Sequence, residues 1–486
     1  MPDTERENTL AGLLPGLAKS AGTKRTRFIV LGVFCSLCIC CSPLSSQQHD
    51  NVVDKLHKDG VIDSICSLLE RKYVFPDRAK TFADELRRRK SSGAYDSFPD
   101  AGQFVETITS DLQAITNDKH MRLRLRESGD TAGHAEGALH HPMRLYRLRN
   151  KEHCGFFKLE WMEGNVGYIE IKRFYPPVEA GDAVVGIMKI LSGASAIIID
   201  LRDNQGGESD LGTLMCSYFF DQPTKLTGTY FRDDNLLQES WTRKTIHGER
   251  LADVPLFLLT SDRTFSAAEY FAYDLKVTRR AIIVGDSTKG GAHSVDLFNI
   301  DDRYEIYLST ARAINPVTGT NWEGTGIVPD VLVPSSSALD TAIILARSAG
   351  TAYADQKEAA LQKTVREMEK YLTSAERLFR EQGDTPAEAA LDSAFALGEK
   401  AGIVSEFFVG VLAYNYAFTT DERLLYAILK KNITFFPASS TAYGSLAYAY
   451  FIHGKKEPAL KYYQRALELD PDNRDAAQMI KRLSSN

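Results

Sequence analysis

Residues 195–204 read SAIIIDLRDN, an apolar run that ends in turn-forming residues. Strands that are buried on both faces have this pattern. Three other runs share it: NVGYIEIKRF (165–174), VPLFLLTSD (254–262) and RAIIVGDS (280–287). Helical stretches such as VVGIMKILSG (184–193) and SDLGTLMCSYFF (209–220) lie between these runs. The alternation predicts an α/β domain built in layers, over residues 143–349.

Helical segments flank this domain on both sides. Apolar residues three and four apart predict an N-terminal bundle of three helices within residues 51–127, followed by a loop over 128–141. Residues 353–486 are predicted to be helical. Within them, residues 440–473 match the 34-residue tetratricopeptide pattern. The matching positions are Tyr443, Leu446, Tyr450, Gly454, Ala459, Tyr463, Ala466 and Pro471. Residues 406–439 are a divergent copy.

The N-terminus has the pattern of an export signal. Lys24, Arg25 and Arg27 precede an apolar run (28–41), and polar residues follow. This order predicts that residues 1–48 form a signal peptide or a membrane anchor, with Cys40 or Cys41 as alternative sites for a lipid. The protein is therefore expected to be exported, to a periplasm or to the medium, either released or held at the membrane as a lipoprotein.

Composition excludes several classes of function. The chain has 486 residues and a net charge of −6. Its 43% hydrophobic and 25% charged residues are typical of soluble globular proteins. Without a basic field, nucleic acid is not an expected partner. Cys66, Cys154 and Cys216 lie outside the N-terminal run and far from one another. We therefore predict neither a disulfide framework, nor a metal site, nor a cofactor.

The stretch TFSAAEYFAYDLK (264–276) raises two interpretations of Ser266. The S-x-x-E spacing is that of a capping box, in which the serine accepts a hydrogen bond from the first helical turn. The start of a helix also favours negative charge, so the same serine would be well placed as a nucleophile. The local sequence leaves both interpretations open.

Three other stretches contain candidate site residues. In AIIIDLRDNQGGESD (196–210), Gly206 and Gly207 come after a predicted strand, where glycines allow a tight turn with exposed N–H groups. His120 lies in TNDKHMRLRL (116–125), and Glu323 lies in NWEGTGIVPD (321–330). Each of these residues, taken alone, is ordinary for a turn or a loop.

Together, and in this order, DLRDNQGG, TSDRTFSAAE, VGDSTKGGA and WEGTGIVPD resemble a family of serine peptidases. The family includes the tail-specific processing peptidases, the tricorn core and the interphotoreceptor retinoid-binding proteins, and the resemblance covers residues 52–349. It implies a ClpP/crotonase-like layered domain and Ser266 as the nucleophile. The turn at Gly206 and Gly207, with the amide of Ala267, would form the oxyanion hole.

Two branches of this family imply different residues as the general base. Processing peptidases have a lysine where this chain has Gly291, and a glycine cannot accept a proton. The tricorn-like branch implies His120 as the base and Glu323 as the acid. Lys289 and His293 remain alternative bases.

The chain also lacks room for a PDZ module, because too few residues separate His120 from the strand at Val166. The helical repeats would then bind unfolded or extended polypeptide substrates, or a partner protein. The expected function is that of an exported serine endopeptidase. The alternatives are a non-catalytic protein that binds apolar ligands on the same fold, and a scaffold built on the repeats.

Overall fold

The computed structural model describes residues 55–98, 100–126, 137–416 and 422–485, without the side chains of 137–141. The predicted signal or anchor over residues 1–48 lies outside the described residues. Among the helices of these ranges, none combines the length and the apolarity of a membrane span.

Three helices form the N-terminal part, as predicted: α1 (Lys55–Lys72), α2 (Pro76–Ser91) and α3 (Ala101–Thr116). Pro76 at the start of α2 has a backbone angle that suits the first helical turn. The carboxylate of Asp100 accepts a hydrogen bond from Gln103 N (2.9 Å) and caps α3. The chain continues through strand β1 (Arg122–Leu125) to helix α4 (Gly137–Asn150). The predicted loop over 128–141 is therefore wrong for 137–141, and its remainder lies outside the described residues.

A six-stranded sheet forms the centre of the α/β domain. Its strands, in chain order, are β2 (Phe156–Met162), β3 (Val166–Ile171), β4 (Ala196–Asp200), β7 (Leu256–Thr260), β8 (Ile282–Gly285) and β11 (Val331–Leu332). Their spatial order is β11-β8-β7-β4-β3-β2, with β2 antiparallel and the other strands parallel. The four runs predicted as buried strands are β3, β4, β7 and β8.

Helices cover both faces of this sheet. Residues of α5 (Pro177–Leu191), α6 (Ser209–Cys216) and α7 (Ala267–Val277) share one buried cluster with the sheet. The start of α8 (Ser335–Glu381) packs on the opposite face through Ala338, Ala342 and Ala346. The α/β fold class is thereby confirmed.

The structure also contains a second, antiparallel sheet, of which the sequence analysis predicted one strand. It contains β1 with β5 (Lys225–Phe231), β6 (Leu236–Trp241), β9 (His293–Asn299) and β10 (Tyr304–Ile314), of which only β10 was expected. Buried residues of β10 complete the core of the N-terminal helices. Because β1 pairs with β10, the segment that carries His120 is held against the α/β domain.

The C-terminal part is helical, as predicted. It begins inside α8, which runs without a break across the predicted boundary at 349–353. Further helices follow: α9 (Asp384–Lys400), α10 (Glu406–Tyr416), α11 (Glu422–Phe435), α12 (Ser440–Ile452), α13 (Lys456–Leu469) and α14 (Arg474–Ser484). The tetratricopeptide pattern at 440–473 covers the pair α12 and α13, whose small residues Ala447, Ala459 and Ala466 are fully buried where these helices pack.

Candidate active site

Ser266 lies at the turn between the loop after β7 and helix α7, in a strained conformation. Its backbone angles are φ 55° and ψ −122°, a region that residues with a side chain rarely adopt. Such a conformation costs on the order of 1–3 kcal/mol and persists only where the surroundings impose it. A serine on a sharp, strained turn from strand to helix presents its hydroxyl outward, as nucleophilic serines do in hydrolases.

Hydrogen bonds from two neighbouring loops impose this conformation. Phe265 N donates to Asn204 O (3.0 Å), in the loop that follows β4. On the other side, the buried carboxylate of Glu269 accepts from Ser266 N (2.9 Å), Gly290 N (2.7 Å) and Gly291 N (2.9 Å). Burial raises the pKa of Glu269, and these hydrogen bonds oppose the rise. The glutamate of the predicted capping box thus connects α7 to the loop 288–291.

The predicted oxyanion residues surround Ser266. Gly206 approaches so closely that a Cβ there would lie 2.8 Å from the Ser266 Cβ and 2.9 Å from Ala267 N. However, Gly206 N already donates to Asn204 Oδ1 (2.8 Å). On either side of Gly207, Phe174 N donates to Gly206 O (2.9 Å) and Glu208 N donates to Phe174 O (3.0 Å). The amide of Ala267, as the first of α7, has no acceptor within the helix.

His120 follows α3 and contacts the residue next to Ser266. Its ring stacks on that of Phe265, with 4.4 Å between the centroids. Both ring nitrogens are buried and lack a hydrogen-bond partner among the described residues. Burial lowers the pKa of His120 to about 4, against the opposing charge of Asp118. The imidazole is therefore neutral at pH 7.

Gly291, the position at which the resemblance implied a lysine, makes room for this ring. A Cβ on Gly291 would lie 2.5 Å from His120 Cε1 and 2.2 Å from Phe265 Cε2. Neither distance is tolerable for a real side chain, so His120 and Phe265 occupy the space that a larger residue would need.

The structure brings Glu323 to His293 rather than to His120. Glu323 Oε2 accepts from the backbone amides of Ala292 and His293, and lies 3.6 Å from His293 Nδ1. Its other oxygen, Oε1, is buried without a partner among the described residues. Burial raises the pKa of Glu323 to about 7. No hydrogen bond joins Glu323 to His120 in the part of the chain that the structure describes.

Asp118 is a site residue that the sequence reasoning missed. Its Oδ2 lies 2.7 Å from His293 Nδ1, and both side chains are almost completely buried. Burial opposes both charges, but the hydrogen bond and the mutual attraction prevail, so the pKa of Asp118 is lowered and that of His293 is raised. A carboxylate two residues before a candidate base, as in NDKH, was the available signal.

Asp118, His293 and Glu323 could also hold a metal ion, since their ligand atoms lie within 4.8 Å of one another. An ion would have to displace the proton between Asp118 and His293. The arrangement therefore fits a buried ion pair better than a metal centre.

Lys289 lies near the same ring as His120. Its Nζ is 4.8 Å from the centroid of Phe265, and its carbonyl accepts a hydrogen bond from Lys119 Nζ. Phe265, which the sequence reasoning also missed, thus contacts both His120 and the alternative base Lys289.

Comparisons with known proteins agree with the resemblance seen in the sequence. Residues 165–333 match the description "Peptidase family S41", residues 55–152 match "N-terminal domain of Peptidase_S41 in eukaryotic IRBP", and residues 440–473 match "Tetratricopeptide repeat". The predicted resemblance is confirmed at this level.

Curated relatives match over part of their length. A chloroplastic carboxyl-terminal-processing peptidase 1 from Arabidopsis thaliana is 27% identical over 39% of this chain and 38% of its own. A carboxyl-terminal-processing protease from Picosynechococcus sp. is 31% identical over 36% of this chain and 41% of its own. This chain thus spans less than half the length of either relative. Among solved structures, a putative peptidase from Parabacteroides merdae gives a TM-score of 0.45 at 16% identity, over 60% of this chain and 96% of that one.

Proposed function

We propose that this chain, which carries a peptidase family S41 domain at residues 165–333, is a serine endopeptidase that acts through an acyl-enzyme on Ser266. The observation that carries the proposal is the strained backbone of Ser266 at the start of α7. Strain of this kind clusters at functional positions, because it lowers stability and needs a compensating benefit.

In the proposed reaction, His120 acts as the general base. A serine hydroxyl is a weak nucleophile until a neighbouring base accepts its proton. The neutral imidazole of His120 fills the space left by Gly291, and its unpartnered nitrogens are free to accept. His293 is less suited to accept the proton, because its ring is paired with Asp118, which favours the protonated form and raises its pKa despite burial. Lys289 remains the alternative that the variants below must exclude.

The oxyanion of the tetrahedral intermediate would be stabilised by backbone amides. Gly207 N and Ala267 N are the proposed donors, because Gly206 N is engaged by Asn204. Gly206 contributes by its lack of a side chain, which lets the turn approach Ser266. Glu323 would act on the loop 292–293, whose amides it accepts from.

The substrate would be unfolded or extended polypeptide, and the chain would be exported. A cavity of about 500 Å³ opens among the C-terminal helices, with Tyr414, Leu425, Tyr448 and Ile452 in its lining. Apolar and aromatic linings of this kind suit a polypeptide segment, from a substrate or from a partner protein.

Fluorophosphonate labelling tests the proposal directly. The wild-type protein should label on Ser266 and hydrolyse an unfolded protein substrate. Ser266→Ala should lose both properties, and His120→Ala should lose several orders of magnitude in kcat, since the members of such a site act as a unit. Ser287→Ala, a serine in the neighbouring loop, is the matched control and should keep both. Hydrolysis that survives in purified Ser266→Ala, or a larger loss in Lys289→Ala than in His120→Ala, would reject this assignment.

A further inference from the structure

Asp118 and His293 form a buried ion pair between two distant parts of the chain. Asp118 lies in the turn after α3, and His293 is the first residue of β9. The exposed fraction of their side chains is 0% and 4%. Burying charged groups is costly unless they are paired and hydrogen-bonded, so a pair retained this deep needs a reason.

The second oxygen of Asp118 controls the position of His120. Asp118 Oδ1 accepts from His120 N (3.1 Å), and Asp118 N donates to Thr116 Oγ1 (3.2 Å). These contacts close a tight turn of the type that aspartate forms with the amide two residues on. The turn sets the direction in which the His120 ring leaves the backbone and reaches Phe265.

Asp118 is also the negative charge that acts on His120. Around His120, Asp118 favours the protonated ring, whereas His293, Arg122 and Lys289 oppose it. Around His293, Asp118 and Glu323 favour the cation, and Arg312 opposes it. Glu323 is therefore directed to His293, and Asp118 serves both histidines.

We propose that Asp118, held in place by His293, is the residue that positions His120 and stabilises its protonated form during acyl transfer, in the role that the family resemblance implied for Glu323. The inference rests on the proposed function. Asp118 acts through His120 and touches no substrate, so it is a positioning residue. When Ser266 Oγ attacks, its proton passes to His120, and the charge of Asp118 offsets the new positive charge.

Asp118→Asn tests the inference, and Glu323→Gln is measured beside it as the competing assignment. Asparagine keeps an acceptor for His120 N and removes the charge. One pKa unit of stabilisation of the imidazolium corresponds to a tenfold change, so we expect kcat to fall by roughly ten- to a hundredfold. KM should stay within about twofold, because the substrate is not contacted, and the fluorophosphonate labelling rate should fall together with kcat. Glu323→Gln should lose less kcat than Asp118→Asn, because Glu323 contacts His293 and not His120.

The double variant Asp118→Asn/His293→Gln covers the case in which the single variant does not fold. It removes the charges of both members of the ion pair together, and it should show the same loss of kcat. The inference is wrong if kcat survives in the folded variants that lack Asp118, or if Glu323→Gln loses more than Asp118→Asn. A wild-type protein that neither labels nor cleaves would instead reject the proposed function, and the inference with it.

Discussion

The backbone conformation of Ser266 at the start of α7 lowers the stability of the folded protein. At φ 55° a Cβ is unfavourable, and glycine is the residue that adopts this region without penalty. We therefore expect both variants to be inactive, and the free energy of unfolding of Ser266→Gly to exceed that of Ser266→Ala by about 1 kcal/mol. Ser266→Gly should accordingly unfold at a higher temperature. Alanine is the matched control, since it removes the hydroxyl and retains the strain. Equal thermal stability of the two variants would mean that the strain is not present in solution.

The pH dependence of the enzyme should reflect the buried imidazole of His120. Because burial lowers its pKa to about 4, the acid limb of kcat/KM should fall near pH 4 instead of near 6.5. The unfolded chain takes up this proton at about 6.5 and the folded chain only at about 4, so the stabilisation is complete above pH 6.5 and lost as the pH falls towards 4.

Chemical denaturation at pH 7 and pH 5 measures this effect. The wild type should lose about 2 kcal/mol more than His120→Gln between these two pH values, because glutamine does not titrate. An equal loss in both proteins would place the pKa of His120 near its ordinary value.

At the scale of elements, helix α8 joins two bodies of structure. It is 47 residues long, which corresponds to about 70 Å. Its first part packs on the sheet and its last part, from Met368, packs among the C-terminal helices, whereas residues 354–363 between them are exposed.

A break in the exposed part of α8 should leave the chemistry intact. Ala359→Pro interrupts the helix at a local cost of about 3 kcal/mol, in a stretch whose side chains are exposed and whose tertiary contact is the surface ion pair of Lys357 with Asp253. We expect unchanged turnover of a short unstructured peptide and slower cleavage of a large protein substrate. Ala359→Gly is the control, because it weakens the helix without removing a hydrogen bond. Loss of short-peptide turnover in Ala359→Pro would show that the candidate active site itself depends on an unbroken α8.

The same scale shows which elements a sequence reveals. Strands β3, β4, β7 and β8 were predicted, because a strand buried on both faces leaves an uninterrupted apolar run. Strands β5, β6 and β9 were missed, since none of them is an uninterrupted buried run: three residues of β5 and one of β9 are buried, and β6 is exposed along almost its whole length. The same limit applies to the site. Ser266 and His120 belong to recognisable motifs. Asp118 and His293 lie 175 residues apart, and nothing in the sequence around either residue indicates that the two pair.

For the whole molecule, the buried clusters divide the chain at α8. The clusters of the α/β domain and N-terminal helices involve residues up to Tyr353, and those of the C-terminal helices begin at Leu372. A chain that ends after Ala360 should therefore fold and cleave short peptides, with large substrates or a partner lost. A chain that ends after Ala338 is the control and should fail to fold, because it exposes the apolar face of the sheet. A truncation after Ala360 that aggregates would mean that the C-terminal helices shield the core.

Strand β1 pairs with β10, from Arg122 opposite Tyr307 to Leu125 opposite Tyr304. This pairing joins a segment made early in synthesis to one made much later, and loop closure over such a separation is slow. His120 lies two residues before β1, so this pairing can hold it beside Phe265 only after β10 has emerged from the ribosome. In the proposed peptidase, the base would therefore join the nucleophile only after most of the chain has been translated. In refolding experiments, fluorophosphonate reactivity should return after the far-ultraviolet circular dichroism signal. The delay between the two signals would measure how long the pairing of β1 with β10 takes.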